Sequence, residues 1–311
     1  MYPLYSVIVP CYNEEAVLHE THKRLTQVLS KMDGDYEIIY VNDGSRDKTP
    51  EILRDLSAAD SHVRAIMFAR NAGHQMAVTA GLDYACGDAI IIIDADLQDP
   101  PEVIPQMAEK WKAGSQIVFG QRKKRDGESA FKKITASVYY KILSWMTGGM
   151  VPRDTGDFRL VDKKVADVIR GMPEHARFLR GMFAWAGFKQ EALLYDRDKR
   201  FAGETHYPLK KMLKLAADGI FSFSVKPLKF ITWLGMGFIG LTGIAFLTLL
   251  ILLICGVAGG NWWLAGLITG CTGLILTALG IVGEYIARIY DETRGRPLYI
   301  VADTVGFGDE A

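Results

Sequence analysis

Two long apolar stretches near the C-terminal end constrain the architecture of this chain more than any other feature. Residues 230–256 and 262–283 contain no Asp, Glu, Lys or Arg. A helix that crosses the hydrocarbon core of a bilayer needs roughly 20 apolar residues, and both stretches are long enough. Buried helices of a large soluble core are the alternative, but such helices rarely lack all charge over this length. We therefore predict two C-terminal transmembrane α-helices.

The charges around these stretches predict their orientation. The link between them, residues 257–261, is uncharged, and basic residues flank the pair on both outer sides: Lys226, Lys229, Arg288, Arg294 and Arg296. Because Lys and Arg are enriched in cytoplasmic loops, we expect a multi-pass plasma (inner) membrane protein with both termini in the cytoplasm. Glycines along both stretches permit close helix packing, from which we expect a homo-oligomer.

The overall composition excludes several classes of function. The chain has 311 residues, with 36 basic and 36 acidic side chains. Nucleic-acid-binding proteins normally carry a basic excess, so nucleic acid is not expected as a partner. The four cysteines are scattered, which argues against a zinc site or a disulfide framework. The N-terminal segment lacks a basic region followed by an apolar core, so we interpret it as a first strand rather than a signal peptide.

The N-terminal part of the chain alternates between strand and helix patterns. Predicted strands cover residues 6–10, 36–42, 63–69, 89–94 and 116–120. Predicted helices cover residues 14–32, 48–59, 75–85 and 103–113. This alternation indicates an α/β fold with a mostly parallel sheet and helices on both faces.

Polar residues follow three of these predicted strands. The segments are Pro10-Cys-Tyr-Asn-Glu14, Asn42-Asp-Gly-Ser45 and Asp94-Ala-Asp-Leu-Gln98. Each alone is typical of a helix cap or turn, but the carboxyl ends of parallel strands meet at one crevice, so together they predict a nucleotide pocket. Asp94 and Asp96 are two residues apart and share one side of an extended segment. Two adjacent carboxylates repel unless a cation or hydrogen-bond donors lie between them, so we favour a metal site over an acidic loop.

Several motifs together resemble a known family. Val9-Pro-Cys-Tyr-Asn-Glu14, Val41-Asn-Asp-Gly-Ser45, Arg70-Asn-Ala-Gly73 and Asp94-Ala-Asp-Leu-Gln98-Asp-Pro-Pro resemble the inverting family 2 glycosyltransferases of GT-A fold, with a Rossmann-like, mostly parallel sheet. Thr155-Gly-Asp-Phe-Arg159, Arg200-Phe-Ala-Gly-Glu-Thr205 and Gly283-Glu-Tyr-Ile-Ala-Arg-Ile-Tyr290 resemble its polyprenyl-phosphate branch, which includes bactoprenol glucosyltransferases and dolichol-phosphate mannose synthases. The resemblance covers nearly the whole chain. His206 is a departure, because many relatives have lysine there.

The resemblance implies a role for each motif. Asp96 and the Gln98 carbonyl are expected to hold Mg²⁺ or Mn²⁺, a Lewis acid for the departing diphosphate. Asp94 and Asp157 are the expected catalytic residues, with Asp94 towards the ribose or donor sugar and Asp157 towards the attacking group. The expected nucleotide-sugar-binding residues are Pro10, Tyr12, Glu14, Asp43, Asn71, Gly73, Asp94, Ala95 and Asp96. For Glu14, a first-turn helix acid that complements the helix dipole is an almost equal alternative. The expected phosphate- and acceptor-binding residues are Arg122, Lys132, Lys133, Ser137, Arg200, Thr205 and His206.

These assignments predict five regions. A cytosolic GT-A domain covers residues 1–206, and a juxtamembrane amphipathic segment covers residues 207–229. Residues 230–256 and 262–287 form the two spans, and residues 288–311 form a cytosolic tail. Apolar and lysine residues also alternate in residues 130–150, which fits a helix on the bilayer surface, although a core-facing amphipathic helix has the same pattern.

The predicted reaction is inverting transfer of a hexose, with glucose favoured, from a UDP-sugar to undecaprenyl phosphate at the cytosolic membrane face. A processive polysaccharide synthase is one alternative, but it would carry a Gln-x-x-Arg-Trp motif and usually more spans. A nucleotidyltransferase would need a glycine-rich N-terminal loop. A non-catalytic nucleotide-binding scaffold is the third alternative, and the paired carboxylates argue against it.

Overall fold

The computed structural model describes residues 3–122, 155–198, 226–256 and 262–307. The chain divides into two compact units. One contains Met1–Ala216 and Arg296–Ala311, and the other contains Ala217–Gly295.

The first unit is built on a sheet that has eight strands within the described residues, in the order β7-β5-β6-β4-β1-β2-β3-β8. The strands are β1 (Leu4–Cys11), β2 (Asp35–Asn42), β3 (Val63–Phe68), β4 (Ala89–Ile92), β5 (Ile117–Arg122), β6 (Thr155–Asp162), β7 (Gln190–Tyr195) and β8 (Val301–Val305). Strands β1 to β4 are parallel, as are β5 and β7, whereas β6 and β8 run antiparallel to their neighbours. The predicted α/β fold with a mostly parallel sheet is confirmed.

Six helices of the described residues connect or flank these strands. They are α1 (Leu18–Leu29), α2 (Thr49–Ala59), α3 (His74–Tyr84), α4 (Ile104–Lys112), α5 (Lys163–Arg170) and α6 (Leu179–Trp185). Helix α1 is shorter than the predicted 14–32, because the preceding turn is tied to the next loop. There the Glu14 N–H donates to Thr49 Oγ1 at 2.9 Å.

Burial in the core explains why the sequences of the central strands are largely apolar. Strands β1, β2 and β4 are buried along most of their length, because the helices cover both faces of the sheet. Leu18, Leu25 and Leu29 of α1 are fully buried, and each such side chain stabilises the fold by about 1.5–3 kcal/mol. Helix α3 packs close on β1, since a Cβ at Gly81 would lie 2.2 Å from Ile8 Cγ2.

Three strands were not predicted from the sequence: β6, β7 and β8. Strand β6 lies between β4 and β5, and its pairing puts Ile92 opposite Arg159. Strand β8 belongs to the segment 288–311 that was assigned to a tail, and it pairs with the outer edge of β3. These strands pair with segments that are distant in sequence, so no local sequence pattern predicts which strand each one pairs with.

The second unit contains two long helices, α7 (Lys226–Ile254) and α8 (Trp262–Thr293). Within the described residues, one segment is long and apolar enough to cross a membrane, Gly270–Thr293, with a mean hydropathy of 1.5. The apolar segment found in α7, Trp233–Ile244, is shorter. The candidate segment overlaps the predicted span 262–287, whereas the predicted span 230–256 stays a prediction.

Candidate active site

The loops after β1 and β2 interlock at the carboxyl edge of the sheet. Asn13 has a left-handed backbone with φ of 56°, and its N–H donates to Ser45 Oγ at 2.9 Å. The Asn13 side-chain oxygen accepts from the Arg46 N–H, also at 2.9 Å. The neighbouring Tyr12 ring is left 39% exposed, so it is available to a ligand.

Asp43 organises the loop that follows β3. Its buried carboxylate accepts from the N–H groups of Ala72 at 2.6 Å and Gly73 at 3.0 Å. Burial raises the pKa of Asp43, and these backbone hydrogen bonds oppose that shift. Gly44 has φ of 65°, and a Cβ there would lie 2.6 Å from the Asn71 nitrogen. A glycine is therefore required where the two loops touch.

A cavity of about 490 Å³ opens beside these loops, within the range typical of ligand sites. It is lined by residues from the loops, α2 and the strands β2, β3 and β8: Tyr12, Asn42, Gly44, Ser45, Arg46, Pro50, Arg54, Met67, Phe68, Ala69, Arg70, Asn71, Ala302 and Asp303. Of the predicted nucleotide-binding residues, Tyr12 and Asn71 line it. Pro10 and Asp43 are buried instead, and Glu14 lies half-buried in the turn before α1.

The acidic loop after β4 is held from two sides. The Ala95 carbonyl accepts from Thr21 Oγ1 of α1 at 2.7 Å, and the Gln98 carbonyl accepts from the Asp198 N–H at 2.9 Å. Leu97 adopts φ of 56°, which turns the chain so that the Gln98 N–H donates to Asp96 Oδ1 at 3.1 Å. Such a backbone conformation in a non-glycine residue is typical of functional loops.

Asp99 anchors the same loop to the segment after β7. It is buried, accepts from the Tyr195 hydroxyl, and its Oδ1 lies 3.4 Å from Arg197 Nε.

The oxygen atoms of this loop fit a divalent cation completed by phosphate. Among the described residues, no group of three or more His, Cys, Asp or Glu is arranged to hold a metal. Mg²⁺, however, is usually bound by one or two carboxylates together with substrate phosphates. Asp94 Oδ1 is buried and has no hydrogen-bond partner, although it forms a 3.6 Å ion pair with His74 Nε2, so it can also accept from a bound cation. The Gln98 carbonyl already accepts one hydrogen bond and has a second lone pair.

Strand pairing brings the two predicted catalytic carboxylates together. The antiparallel register of β4 and β6 puts Ile92 opposite Arg159, and its continuation by two residues sets Asp94 opposite Asp157. His74, the first residue of α3, lies between them, with Nε2 at 3.6 Å from Asp94 Oδ1 and 3.3 Å from Asp157 Oδ2. Arg180 of α6 binds both oxygens of Asp157, at 2.7 Å and 3.0 Å.

Arg159 supports the backbone under this cluster. It is buried and donates to the carbonyl oxygens of Gly156 and Asp157, at 3.1 Å and 3.3 Å. Its guanidinium lies 4.7 Å from the centre of the Phe183 ring. Burial lowers the pKa of Arg159 to about 10, so it stays charged at neutral pH.

The cluster shifts the pKa values of its members in opposite directions. Burial raises the pKa of Asp157, but the charge of Arg180 and the hydrogen bonds from His74 and Arg180 outweigh it and hold that pKa well below the usual value. Burial lowers the pKa of His74, but the charges of Asp94 and Asp157 raise it to about 9. Burial raises the pKa of Asp94 to about 6, against the opposing charge of His74.

The sequence analysis missed His74 and Arg180. A signal existed for His74, which directly follows the Arg70-Asn-Ala-Gly73 motif. No signal marks Arg180, because its position on α6 depends on packing alone. Arg122 is the last residue of β5 and pairs with Tyr195 of β7. The structure describes its backbone but not its side chain. The other predicted acceptor-binding residues also lie outside the described residues: Lys132, Lys133, Ser137, Arg200, Thr205 and His206.

Comparison with known proteins identifies the family to which the chain belongs. Residues 6–170 match the model of "Glycosyl transferase family 2". The chain is 51% identical to "Uncharacterized glycosyltransferase YkcC" of Bacillus subtilis, over 97% of this chain and 94% of the relative. It is 37% identical to the "Prophage bactoprenol glucosyl transferase homolog" of Escherichia coli, over 95% of this chain and 97% of that protein.

A solved structure is also similar, that of glucosyl-3-phosphoglycerate synthase from Mycobacterium tuberculosis with Mn²⁺, UDP-glucose and phosphoglyceric acid. Its TM-score is 0.48 at 22% identity, over 70% of this chain and 78% of the other.

The mostly parallel α/β sheet, with its acidic loop at the carboxyl edge, and the family match define a glycosyltransferase. The chain belongs to glycosyl transferase family 2.

Proposed function

We propose that this protein transfers a hexose, with glucose favoured, from a UDP-sugar to undecaprenyl phosphate. The observation that carries the proposal is the meeting of the cavity and the carboxylate cluster at one edge of the sheet. The segment Arg70–His74 connects them, since Arg70 and Asn71 line the cavity and His74 contacts Asp94 and Asp157. A nucleotide in the cavity would therefore direct its sugar towards the cluster.

The charges of the cavity favour an anionic ligand. Arg46, Arg54 and Arg70 line it, against the single carboxylate of Asp303. Within the described residues, Arg54 pairs with Asp303, whereas Arg46 and Arg70 are exposed and have no ion-pair partner. Exposed guanidinium groups match the geometry of phosphate oxygens.

Asp96 and the Gln98 carbonyl are the residues that would hold Mg²⁺ or Mn²⁺. When bound, the ion supplies positive charge for the diphosphate leaving group. The rigid loop, held by Thr21 and Asp198, keeps these oxygen atoms in place without rearrangement.

The depressed pKa of Asp157 favours an orienting role over proton abstraction. A carboxylate held by Arg180 is a weak base, but a phosphate monoester is already largely ionised at neutral pH and needs little help. An acceptor phosphate oxygen attacks the anomeric carbon from the side opposite the nucleotide. The bond from that carbon to the diphosphate breaks, UDP leaves with the electron pair, and the configuration inverts.

The apolar segment Gly270–Thr293 and the bactoprenol-transferase relatives support a lipid acceptor at a membrane. We propose that both predicted spans, residues 230–256 and 262–287, anchor the enzyme as a homo-oligomer. The catalytic unit and both termini would then lie on the cytoplasmic face.

The test is product analysis. Purified protein is incubated with UDP-glucose and undecaprenyl phosphate, and the lipid is analysed by mass spectrometry after long incubation with excess donor. We expect one hexose per lipid, released by mild acid, and no product when polyprenol replaces polyprenyl phosphate. A ladder of hexose additions would instead indicate a polymer synthase, and equal use of the alcohol would show that the acceptor phosphate is not required.

A further inference from the structure

The C-terminal strand β8 reaches the edge of the cavity in which the donor nucleotide is proposed to bind. Ala302 and Asp303 line that cavity, although they are more than 200 residues distant in sequence from the other lining residues. Asp303 Oδ2 lies 3.1 Å from the Arg54 guanidinium, which belongs to α2 and lines the same cavity. This chain end therefore contributes a carboxylate to a site otherwise lined by arginines and neutral residues.

An irregularity in β8 explains why two consecutive residues line the cavity. Met67 pairs with Asp303 and Phe68 pairs with Val301, so Ala302 is an extra residue that has no partner on β3. Consecutive side chains of a regular strand point to opposite faces, but a bulge changes this alternation and redirects a side chain. Bulges of this kind are frequent beside active sites.

The position of β8 is well defined by contacts on both sides of the bulge. Before it, the Tyr299 ring stacks on Phe68 at 5.0 Å and its hydroxyl donates to Asp83 at 2.7 Å. After it, the Phe307 ring packs against Tyr84 at 5.1 Å. The strand is thus a fixed wall of the cavity, and its side chains are presented in a constant position.

We propose that β8 forms the nucleoside-binding wall of the donor site and that Asp303 accepts a hydrogen bond from a donor group of the nucleoside. The proposal rests on the proposed function. The exposed Arg46 and Arg70 line the cavity and would bind the diphosphate of the donor. The Arg54–Asp303 pair provides a hydrogen-bond donor and an acceptor side by side. The Watson–Crick edge of each nucleobase carries a donor beside an acceptor, so this pair is complementary to that edge of a base.

Two variants of the full chain test the proposal from different directions. Asp303→Asn removes the charge, and Ala302→Leu fills the wall of the cavity at an exposed position where the larger side chain does not disturb the core. The matched control is Asp33→Asn, which breaks an exposed ion pair with Lys112 away from the cavity. Binding of UDP and of inorganic pyrophosphate is measured by calorimetry in detergent with Mg²⁺, and thermal unfolding reports on folding.

We expect Asp303→Asn to weaken UDP binding about tenfold, because a charge-assisted hydrogen bond becomes a neutral one. We expect Ala302→Leu to weaken UDP binding by a similar factor, because the larger side chain occupies space at the wall. Pyrophosphate binding should be unchanged in both variants. The control should bind both ligands as the wild-type protein does. Unchanged UDP binding in both variants would overturn the role of β8, as would equal weakening of UDP and pyrophosphate. If the wild-type protein binds none of UDP, GDP, CDP or ADP, the proposed function fails as well, which separates the two outcomes.

Discussion

Arg180 donates a hydrogen bond to each oxygen atom of the Asp157 carboxylate, with Nε 2.7 Å from Oδ1 and Nη2 3.0 Å from Oδ2. Bidentate pairs of this kind are shorter and stronger than neutral hydrogen bonds, and they fix the plane of the carboxylate. Because His74 contacts the same carboxylate, Asp157 is oriented by two elements, α3 and α6, that are remote from each other in sequence. The catalytic role of Asp157 can therefore be tested by substituting either Asp157 itself or the residues that orient it, Arg180 and His74.

The first prediction separates the charge of Asp157 from its orientation. Asp157→Asn should lower kcat by about a hundredfold or more with nearly unchanged UDP affinity, because the variant keeps the size but loses the charge. Arg180→Lys should lower kcat less, by about tenfold, since a lysine cannot hold both oxygens. Steady-state kinetics and UDP titration check both values, with Glu20→Gln of α1, which pairs with Lys23, as the control. A rise in the UDP dissociation constant that matches the loss of kcat would contradict the assignment.

The second prediction concerns the metal. Asp96→Ala should abolish transfer and remove the dependence of UDP binding on divalent ions, because a main oxygen ligand is lost. UDP titrations with and without EDTA measure this directly. Full activity with unchanged EDTA sensitivity in the variant would show that Asp96 is not a ligand.

The third prediction is a pH dependence of stability in the protein free of metal and nucleotide. His74 has a pKa of about 9 in the folded chain, above its ordinary value of 6.5. A raised pKa means that folding favours the protonated form, so the stabilisation is complete below pH 6.5 and is lost as the pH rises through 9. Relative to wild type, His74→Gln should therefore be most destabilised near pH 6 and least near pH 10.

Urea denaturation across this pH range checks the third prediction. The exposed His19 of α1 provides the control variant, His19→Gln. A difference between wild type and His74→Gln that stays constant from pH 6 to pH 10 would exclude the ion pairs as its cause.

The fourth prediction concerns topology. Cys86 and Cys255 are exposed and would react with a thiol reagent, so the four native cysteines are first replaced. A single cysteine at Gly259 should then react with an impermeant reagent added to intact cells, whereas one at Lys48 should react only after lysis. The reverse pattern would place the catalytic unit outside the cell, away from cytosolic nucleotide sugars.

The sequence by itself determined the elements whose signals are local. Strands β1 to β4 were predicted because buried parallel strands are apolar over their full length, and the turn residues after them mark their ends. The same signals located Asp94 and Asp96 at the edge where ligands bind, and the repeated alternation predicted the fold class.

Only the tertiary structure decided which distant residues meet. The insertion of β6 between β4 and β5 sets Asp157 against Asp94, and the packing of α3 and α6 adds His74 and Arg180. Likewise, Asp303 lines the cavity only because β8 pairs with β3. Strand pairing and ion pairs between remote segments depend on the whole packed arrangement, since closing such long loops is repaid only when the complete sheet forms. No residue near Arg180 or Asp303 in the sequence carries that information.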